Sequence, residues 1–397
     1  MKNMKKFMSL ALTASLVAAG FAGCGSKDDT SSSAGNESSS AAGENVFKIG
    51  GIGPVTGPAG AYGDAVDKGA RLAVKEINAA GGIGGSQIEF KFEDDEHDAE
   101  KSVNAYNTLK DWGMQMLVGT VTSTPCIAVA AESEADNMFL LTPSATAVES
   151  IAPSNAFRLC FSDPAQGTKS AEYIGENKLA SKVAVVYDSS DTYSSGIYEN
   201  FVKEAKNQGL EIVASEAFTS DSKSDFNVQL QKAKDGGAEL IFLPIYYQEA
   251  SLILKQAHDI GFDTQFFGCD GLDGILGVEN FDTSLAEGTM LLTPFVPDAQ
   301  DEATQKFVKA YAEEYKDEVP IQFAADAYDC IYAIKEAAEK AGITPDMSVS
   351  DICDALKTSM TEITVDGVTG HITWTEDGEP SKEPKAVKIE NGAYTAM

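Results

Sequence analysis

Basic residues are scarce in this sequence. It contains 30 Lys and Arg residues against 61 Asp and Glu residues, which gives the precursor a formal net charge of −31 at pH 7. A chain with this charge repels phosphate backbones and anionic lipid headgroups, so we expect no nucleic-acid partner. The acidic surface explains solubility but does not identify a ligand.

Residues typical of catalytic centres are also few. The sequence has three histidines, which are His97, His258 and His371. None stands with a Ser or Cys in a catalytic pattern, and Ser220 with Lys223 is a lone SxxK in a polar loop. The acidic run at 93–98 lacks calcium-loop spacing, so a helix cap at Asp98 is the preferred interpretation. We therefore predict no enzyme activity, no metal and no cofactor.

Cysteine is rare and has no metal-binding spacing. Five cysteines follow Cys24 in the chain, namely Cys126, Cys160, Cys269, Cys330 and Cys353. There is no CxxC pair, and the odd number leaves at least one thiol unpaired. Most of these side chains are expected to be small buried hydrophobic groups. Cys269 is not expected to be a nucleophile, because no histidine lies near it in the sequence.

Long apolar runs are missing apart from one at the N-terminus. Three lysines precede the run at 7–22, which ends in FAGC and is too short for a membrane-spanning helix. The ending is similar to a bacterial lipobox, although Phe21 stands where Leu is usual. We therefore predict a lipoprotein signal peptide at 1–23 and lipid attachment at Cys24. Residues 24–45 are rich in Ser, Gly and Ala and predict a flexible tether.

Strand and helix patterns alternate through the remaining 350 or so residues, which suffice for two domains. FKIGGIG predicts a buried strand, and a glycine-rich loop separates it from a helix expected at 64–78. Gly51 and Gly53 do not form a dinucleotide fingerprint, because the helix does not begin directly after them. The alternation resumes at Ser181. This order predicts parallel sheets covered by helices on both faces.

The C-terminal part has a different pattern. Long helices are predicted at about 301–316, 322–341 and 348–358. HITWTEDGEP and KAVKIENGAY carry alternating apolar residues around a turn, and together they predict one late hairpin.

Two loops follow neighbouring predicted strands and are rich in hydroxyl groups. In the first, Ser123 or Thr124 is the expected N-cap of a helix, with Pro125 as its first residue. A helix N-terminus attracts an anion such as a carboxylate. The second loop, after MFLLTP, contains Ser144, Ala145 and Thr146. Both loops leave the carboxyl ends of parallel strands, so together they predict an anion site; an ordinary cap and turn is the alternative.

The order of these motifs resembles the type I periplasmic binding proteins, most closely the Leu/Ile/Val-binding branch of ABC-transporter solute-binding proteins. The phrases that carry the resemblance include GIGPVTGPAGAYG, GTVTSTP, LLTPSAT, FRLCFSD, IYYQEA and FFGCDG. The resemblance implies an α/β fold of two doubly wound parallel-sheet lobes, joined by a three-crossover hinge, with the ligand cleft between them. Lobe 1 would comprise 46–160 and 294–368, and lobe 2 would comprise 161–293 and 369–397.

The resemblance also implies residues that hold the polar end of an amino acid. Ser123 matches the family's serine for the α-carboxylate, whereas Ser144 and Thr146, which flank Ala145, match positions for the α-ammonium and carboxylate. Asp270 stands where the Leu/Ile/Val-binding proteins use a glutamate to pair the ammonium. Its carboxylate can form the same charge-assisted bond but reaches one methylene less far.

Further positions match the walls of the family's side-chain pocket. Tyr62 replaces a tryptophan at the pocket mouth, and Tyr193 and Tyr246 match tyrosines that close over the ligand, with Tyr247 as an alternative to Tyr246. Val121 and Thr122 would line the apolar part, although packing in the core or at the rim is the other interpretation for each tyrosine. Gram-negative relatives carry a disulfide at the positions of His97 and Thr122, so that bridge is absent here.

The function implied by the resemblance is transport. The chain would be a monomeric, lipid-anchored protein outside the cytoplasm that binds a hydrophobic, branched-chain L-amino acid by hinge closure. It would deliver this ligand to the permease and ATPase subunits of an ABC importer. The alternatives are an extracellular sensing module of a signalling system and a binder of aromatic or other small amino-acid-like ligands.

Overall fold

The computed structural model describes residues 46–397, so the predicted signal peptide at 1–23, Cys24 and the tether at 24–45 lie outside the described residues. Strands and helices alternate in the first part of the described chain. In order, they are β1 (Val46–Gly53), α1 (Gly60–Ala79), β2 (Gln87–Asp94), α2 (Ala99–Trp112), β3 (Met116–Gly119), α3 (Ser123–Asp136), β4 (Phe139–Thr142) and β5 (Ala156–Arg158).

These five strands form one parallel sheet in the order β2-β1-β3-β4-β5. Every residue of β3, β4 and β5 is buried. Continuous burial is typical of parallel strands that are covered by helices on both faces. The register places Ile52 of β1 opposite Gly119 of β3, so the loops after these strands emerge side by side.

A second run of alternating elements follows. It comprises α4 (Asp163–Glu176), β6 (Lys182–Asp188), α5 (Thr192–Asn207), β7 (Glu211–Phe218), α6 (Asn227–Asp235), β8 (Leu240–Leu243), α7 (Tyr247–Asp259), β9 (Gln265–Gly268) and β10 (Met290–Thr293). The second sheet has seven strands in the order β14-β13-β10-β9-β8-β6-β7, and its strands β6 to β10 are parallel.

The chain ends with α8 (Glu302–Glu314), α9 (Gln322–Ala341), α10 (Val349–Met360), β11 (Val365–Gly367), β12 (Gly370–Ile372), β13 (Lys385–Glu390) and β14 (Ala393–Ala396). The three helices agree with the predicted ones to within two residues. Helix α9 packs against α1 so closely that a methyl group added at Gly69 would lie 2.0 Å from the carbonyl oxygen of Ala324. The three helices therefore belong with the first sheet, whereas β13 and β14 complete the second.

The prediction of one late hairpin was wrong, because the structure contains two. Strand β12, which begins the HITW segment, pairs with the preceding strand β11. Asp329 accepts hydrogen bonds from the backbone N–H groups of Val368 and Thr369 in the turn between these two strands. KAVKIE forms β13, which pairs with the following strand β14. Asn391 and Gly392 join β13 to β14 with φ values of 55° and 74°, as a type I′ turn requires.

The two sheets define two lobes, which confirms the predicted α/β fold class. The chain passes between the lobes three times: between β5 and α4, between β10 and α8, and between β12 and β13. The exact bounds assigned to each lobe stay a prediction. Within residues 46–397, no helix is both long and apolar enough to cross a membrane.

Candidate ligand-binding site

The loops after β3 and β4 are tied together by their own hydroxyl groups. The Ser144 hydroxyl donates a hydrogen bond to the carbonyl oxygen of Val121 at 2.8 Å, and the Ser123 hydroxyl accepts one from the N–H of Ala147 at 3.2 Å. The Thr142 hydroxyl at the end of β4 donates to the carbonyl oxygen of Thr120 at 2.6 Å. Both loops are buried, so these bonds fix the geometry of the polar surface they present.

Helix α3 begins at Ser123, two residues before Pro125, the predicted first residue. Thr122 is the N-cap in extended backbone conformation, Ser123 is the first helical residue and Pro125 is the third. No side chain caps this end, because the Thr122 hydroxyl bonds to His97 Nδ1 instead, and the Ser123 hydroxyl bonds to the following loop. The prediction of Ser123 or Thr124 as N-cap was therefore wrong. The N–H groups of the first turn remain available to an anion in the cleft.

Asp270 faces these loops from the second lobe. It follows β9, is 4% exposed, and its Oδ1 accepts a hydrogen bond from the Tyr193 hydroxyl at 2.8 Å. Its N–H donates to Gln166 Oε1 at 3.0 Å, and its carbonyl oxygen accepts from Gln322 Nε2 at 2.7 Å. Burial raises the pKa of Asp270 to about 7, against the opposing effect of the Tyr193 and Gln166 hydrogen bonds. The carboxyl group has no basic ion-pair partner among the described residues.

Aromatic side chains from both lobes surround this polar centre. The Tyr62 hydroxyl, from α1, donates to the carbonyl oxygen of Gly271 at 2.5 Å and so links the lobes directly. Its ring stacks on Phe323 with centroids 4.2 Å apart and meets Tyr246 edge-on at 5.7 Å. Tyr246 stacks on Tyr193 at 4.9 Å. These aromatic groups close the cleft around Asp270 and exclude water from it.

The cleft contains a narrow cavity with a volume of about 10 Å³. Its lining consists of Tyr62, Val121, Thr122, Ser123, Ser144, Tyr193, Tyr246, Asp270, Gly271 and Phe323. Eight of the ten predicted site residues thus line one cavity. The other two, Ala145 and Thr146, are buried in the loop beside it and do not line it. Tyr246 lines the cavity, whereas Tyr247 contacts Tyr62 from outside it.

Sequence reasoning missed two lining residues, Gly271 and Phe323. Gly271 directly follows Asp270, and a methyl group there would meet the Tyr193 hydroxyl at 2.6 Å, so glycine is needed for the close approach. Phe323 lies in the first turn of the predicted helix at 322–341. Local sequence patterns do not reveal that this turn faces α1, because the contact joins residues far apart in the chain.

His97 and Thr122, the positions for which the resemblance implied a disulfide in Gram-negative relatives, are joined by a hydrogen bond. His97 Nδ1 and Thr122 Oγ1 are 2.8 Å apart, and the imidazole ring meets Tyr246 edge-on. Burial lowers the pKa of His97 to about 4, so the ring is neutral at pH 7. The pair forms a polar wall beside the cavity. A second chamber, lined in part by Asp191, Lys223 and Glu249, lies beyond Tyr246.

Other candidate sites have structural explanations. Asp98 caps α2 by accepting a hydrogen bond from the N–H of Lys101 at 2.9 Å, as predicted. No group of three or more His, Cys, Asp or Glu side chains in residues 46–397 is placed to hold a metal ion. The five described cysteines are buried and unpaired. Burial raises the pKa of the Cys269 thiol well above its usual range, which disfavours a reactive thiolate.

A hydroxyl-lined helix N-terminus that faces a buried carboxyl group can hold a zwitterion between two lobes. A family model described as periplasmic binding protein matches residues 46–393 of this chain. The chain belongs to the periplasmic binding protein family. The resemblance inferred from the sequence is thus confirmed, and the family is one of transporter solute-binding proteins that function outside the cytoplasm.

Curated relatives support the same branch of the family. The chain is 31% identical over 341 residues to Leu/Ile/Val-binding protein homolog 3 of Brucella melitensis, covering 84% of this chain and 88% of the relative. It is 30% identical over 339 residues to the leucine-, isoleucine-, valine-, threonine-, and alanine-binding protein of Pseudomonas aeruginosa, covering 84% and 87% of the two chains.

A solved structure is similar over nearly its whole length. The branched-chain amino acid transporter substrate-binding protein LivJ of Streptococcus pneumoniae, in complex with isoleucine, superimposes with a TM-score of 0.81 at 31% identity. The match covers 88% of this chain and 98% of LivJ. The leucine-binding protein LivK of Thermotoga maritima superimposes with a TM-score of 0.79 at 26% identity, covering 88% and 97%.

Proposed function

We propose that this protein binds a hydrophobic L-amino acid, preferably one with a branched side chain, and delivers it to an ABC importer. The observation that carries the proposal is the position of Asp270 opposite the α3 N-terminus across one closed cavity. The ligand α-carboxylate would accept hydrogen bonds from the Ser123 hydroxyl and the N–H groups of the first turn. Its α-ammonium would pair with Asp270 and with the loop that contains Ser144 and Thr146.

The walls of the cavity suit an aliphatic side chain. Tyr62, Phe323 and Val121 are buried, and they present aromatic or aliphatic surface to the cavity. An apolar pocket distinguishes ligands that differ by one methylene by only about 1 to 3 kcal/mol, so several related amino acids are expected to bind. The relatives named for both leucine and isoleucine support this expectation.

Binding would work by lobe closure, without any bond being broken. Tyr62 on the first lobe bonds to Gly271 on the second, and Ala61 donates its N–H to the Tyr247 hydroxyl at 3.2 Å. These contacts can form only when the lobes are together. A ligand that touches both lobes binds the closed form more tightly than the open form, and this difference shifts the population.

The cellular setting belongs to the same proposal. The ligand would be delivered to permease and ATPase subunits, and a monomer suffices because both halves of the site come from one chain. Lipid attachment at Cys24 would hold the protein at the outer face of the membrane, with 24–45 as a tether. Cell fractionation of a Cys24→Ser variant tests the anchor: the variant should leave the membrane fraction, whereas continued membrane association would contradict lipid attachment.

A thermal-shift screen tests the ligand assignment. The chain without residues 1–24 would be unfolded and refolded to remove bound ligand and then screened against the twenty L-amino acids and aromatic acids. A ligand that binds only the folded state raises the midpoint according to its concentration relative to Kd. Shifts with Leu, Ile or Val are expected. Shifts only with acids that lack an α-ammonium group would overturn the amino-acid assignment and leave the fold intact.

A further inference from the structure

A large groove lies outside the cleft, where the two lobes meet beside α1. Its volume is about 900 Å³, against about 10 Å³ for the cavity inside the closed cleft. The first lobe lines it with α1, α8 and the segment before α9, and the second lobe lines it with the segment after β9 and the turn between β13 and β14. Small-molecule sites in proteins typically have volumes of roughly 300–1,000 Å³, so this interlobe groove can hold a second ligand.

The interlobe groove and the ligand cavity share three chain segments. Helix α1 contributes Tyr62 to the cavity and Lys68 to the groove. In the segment after β9, Asp270 lines the cavity and Leu276 lines the groove. The start of α9 and the residues just before it are divided between the two in the same way. A molecule in the groove would therefore contact the segments that form the ligand site.

Much of the surface of the interlobe groove is apolar. Leu276, Val308 and Ile321 line it with aliphatic side chains. Val319, in the segment before α9, also lines it and is 69% exposed. Exposed aliphatic surface that lines a concave groove is typical of a binding site, because an apolar occupant would remove this surface from water.

The charged groups of the interlobe groove are mostly acidic. Among the described residues that line it, three carry carboxyl groups, namely Asp64, Asp298 and Glu318, and one is basic, Lys68. Lys68 Nζ lies 2.7 Å from Asp64 and 2.6 Å from Glu318, so one ammonium group is shared by two carboxylates. Burial raises the pKa of Tyr311, which also lines the groove, and the carboxylates of Glu318 and Asp64 raise it further. Excess negative charge on an apolar surface is complementary to an organic cation.

We propose that the interlobe groove is a second binding site, for a small organic cation that carries an ammonium group on an apolar body, and that its occupant strengthens ligand binding in the cleft. The apolar body would cover Leu276, Val308 and Ile321. The ammonium group would pair with the carboxylates of Asp298 and Glu318.

The coupling between the two sites follows from the lobes that line the groove. An occupant can contact both lobes at once only when they are together, so it favours the closed form. The cleft ligand favours the same form, and by linkage each molecule raises the affinity for the other by the same factor. Binding in the groove does not depend on the proposed function, whereas the coupling rests on it.

Titration calorimetry with 4-phenylbutylamine tests the site, because this probe carries an ammonium group and an apolar body at pH 7. The uncharged 4-phenylbutan-1-ol has nearly the same shape and is the comparison probe. The amine is expected to bind roughly 3- to 10-fold more tightly than the alcohol, as for partly exposed ion pairs with two carboxylates. With the amine at saturation, the Kd for L-leucine should fall several-fold.

Two variants locate the bound probe. A β-carbon at Gly277, which lines the groove, would have no neighbouring atom within 4 Å, so Gly277→Trp can occupy the groove without a backbone clash and should abolish amine binding. Asp298→Asn combined with Glu318→Gln should make the amine and the alcohol bind equally. Glu314→Gln is the matched control, because Glu314 also pairs with a lysine of α1, Lys75, but does not line the groove. This control should keep the preference for the amine.

Several outcomes would overturn the proposal. Equal binding of the amine and the alcohol to the wild-type chain would contradict recognition of a cation, and amine binding that survives Gly277→Trp would place the probe elsewhere. A higher Kd for L-leucine would mean that the amine competes within the cleft, and an unchanged Kd would remove the coupling. If Gly277→Trp does not fold, the double variant decides the location. If the wild-type chain binds no L-amino acid, the proposed function itself falls, and the titrations with the two probes alone still decide whether the groove binds a cation.

Discussion

Replacing Asp270 with asparagine should make the ligand-free protein more stable at neutral and alkaline pH. The folded state raises the pKa of this carboxyl group from about 3.8 to about 7. Because the folded pKa lies above the unfolded one, the folded state binds the proton more tightly. Below pH 3.8 the carboxyl group therefore does not lower the free energy of unfolding. It lowers this free energy progressively as pH rises towards 7, and by the full amount above pH 7. Asparagine has the shape of the neutral carboxyl group and does not titrate, so its contribution to stability does not change with pH.

The size of the effect follows from the same pKa. Each pH unit between the folded and unfolded pKa is worth about 1.4 kcal/mol, so the full cost of Asp270 at pH 8 is about 4 kcal/mol. At pH 5 the cost is about 2 kcal/mol, because the unfolded carboxyl group is already mostly ionised there. Between pH 5 and pH 8, the wild-type chain should thus lose about 2 to 3 kcal/mol more unfolding free energy than Asp270→Asn does.

Urea unfolding at pH 5 and pH 8 measures this difference, with both proteins refolded beforehand to remove bound ligand. The variant should also fail to bind L-leucine in the same buffers, since the ammonium loses its charged partner. Parallel pH dependence in the two proteins, or a variant that is less stable than wild type at pH 8, would refute the reasoning. Either result would mean that Asp270 is solvated or paired in the ligand-free protein.

Three further substitutions probe the ligand site and the fold. Ser123→Ala should raise the Kd for L-leucine roughly 10-fold in calorimetry without changing the circular dichroism spectrum, because a hydroxyl partner of a charged carboxylate is lost. Tyr62→Phe removes the hydroxyl that bonds to Gly271 and should weaken binding several-fold while shifting the scattering profile of the ligand-free chain towards a more open form. Gly69→Ala should lower Tm by several degrees, since its methyl group would collide with the α9 backbone, whereas Gly277→Ala has open space around it and should not. An unaltered Kd in either binding variant, or equal Tm values for the two glycine variants, would contradict the corresponding assignment.

Local signals in the sequence predicted most of the elements. Alternating strand and helix patterns led to the two parallel sheets, and the cap at Asp98 and the helix at 322–341 were read directly from neighbouring residues. The first residue of α3 was misplaced because the Ser123 hydroxyl bonds to the next loop, and only the packed structure reveals that loop as its partner. Phe323 was missed for the same reason, since its place in the cavity depends on α9 packing against α1.

The polar residues of the site could also be predicted only in part from the sequence. Asp270 was predicted from its place in FFGCDG, but its hydrogen bonds to Gln166 and Gln322 join residues that lie 104 and 52 positions apart in the chain. Composition and spacing do not reveal such contacts. The sequence therefore predicts which residues lie at the cleft better than it predicts the contacts that hold them in place.

The buried carboxyl group of Asp270 gives a physical reason why closure should depend on ligand. Tyr62, Gly271 and the surrounding aromatic rings would favour the closed form whether or not a ligand is present. Moving a two-state equilibrium from 1:99 to 99:1 requires a difference of about 5.5 kcal/mol between the states. Excluding water from Asp270 costs up to about 4 kcal/mol at pH 8 when no cation is present. An ammonium group removes this penalty in the closed form, so the carboxyl group proposed to recognise the ligand also makes closure more favourable when the ligand is bound.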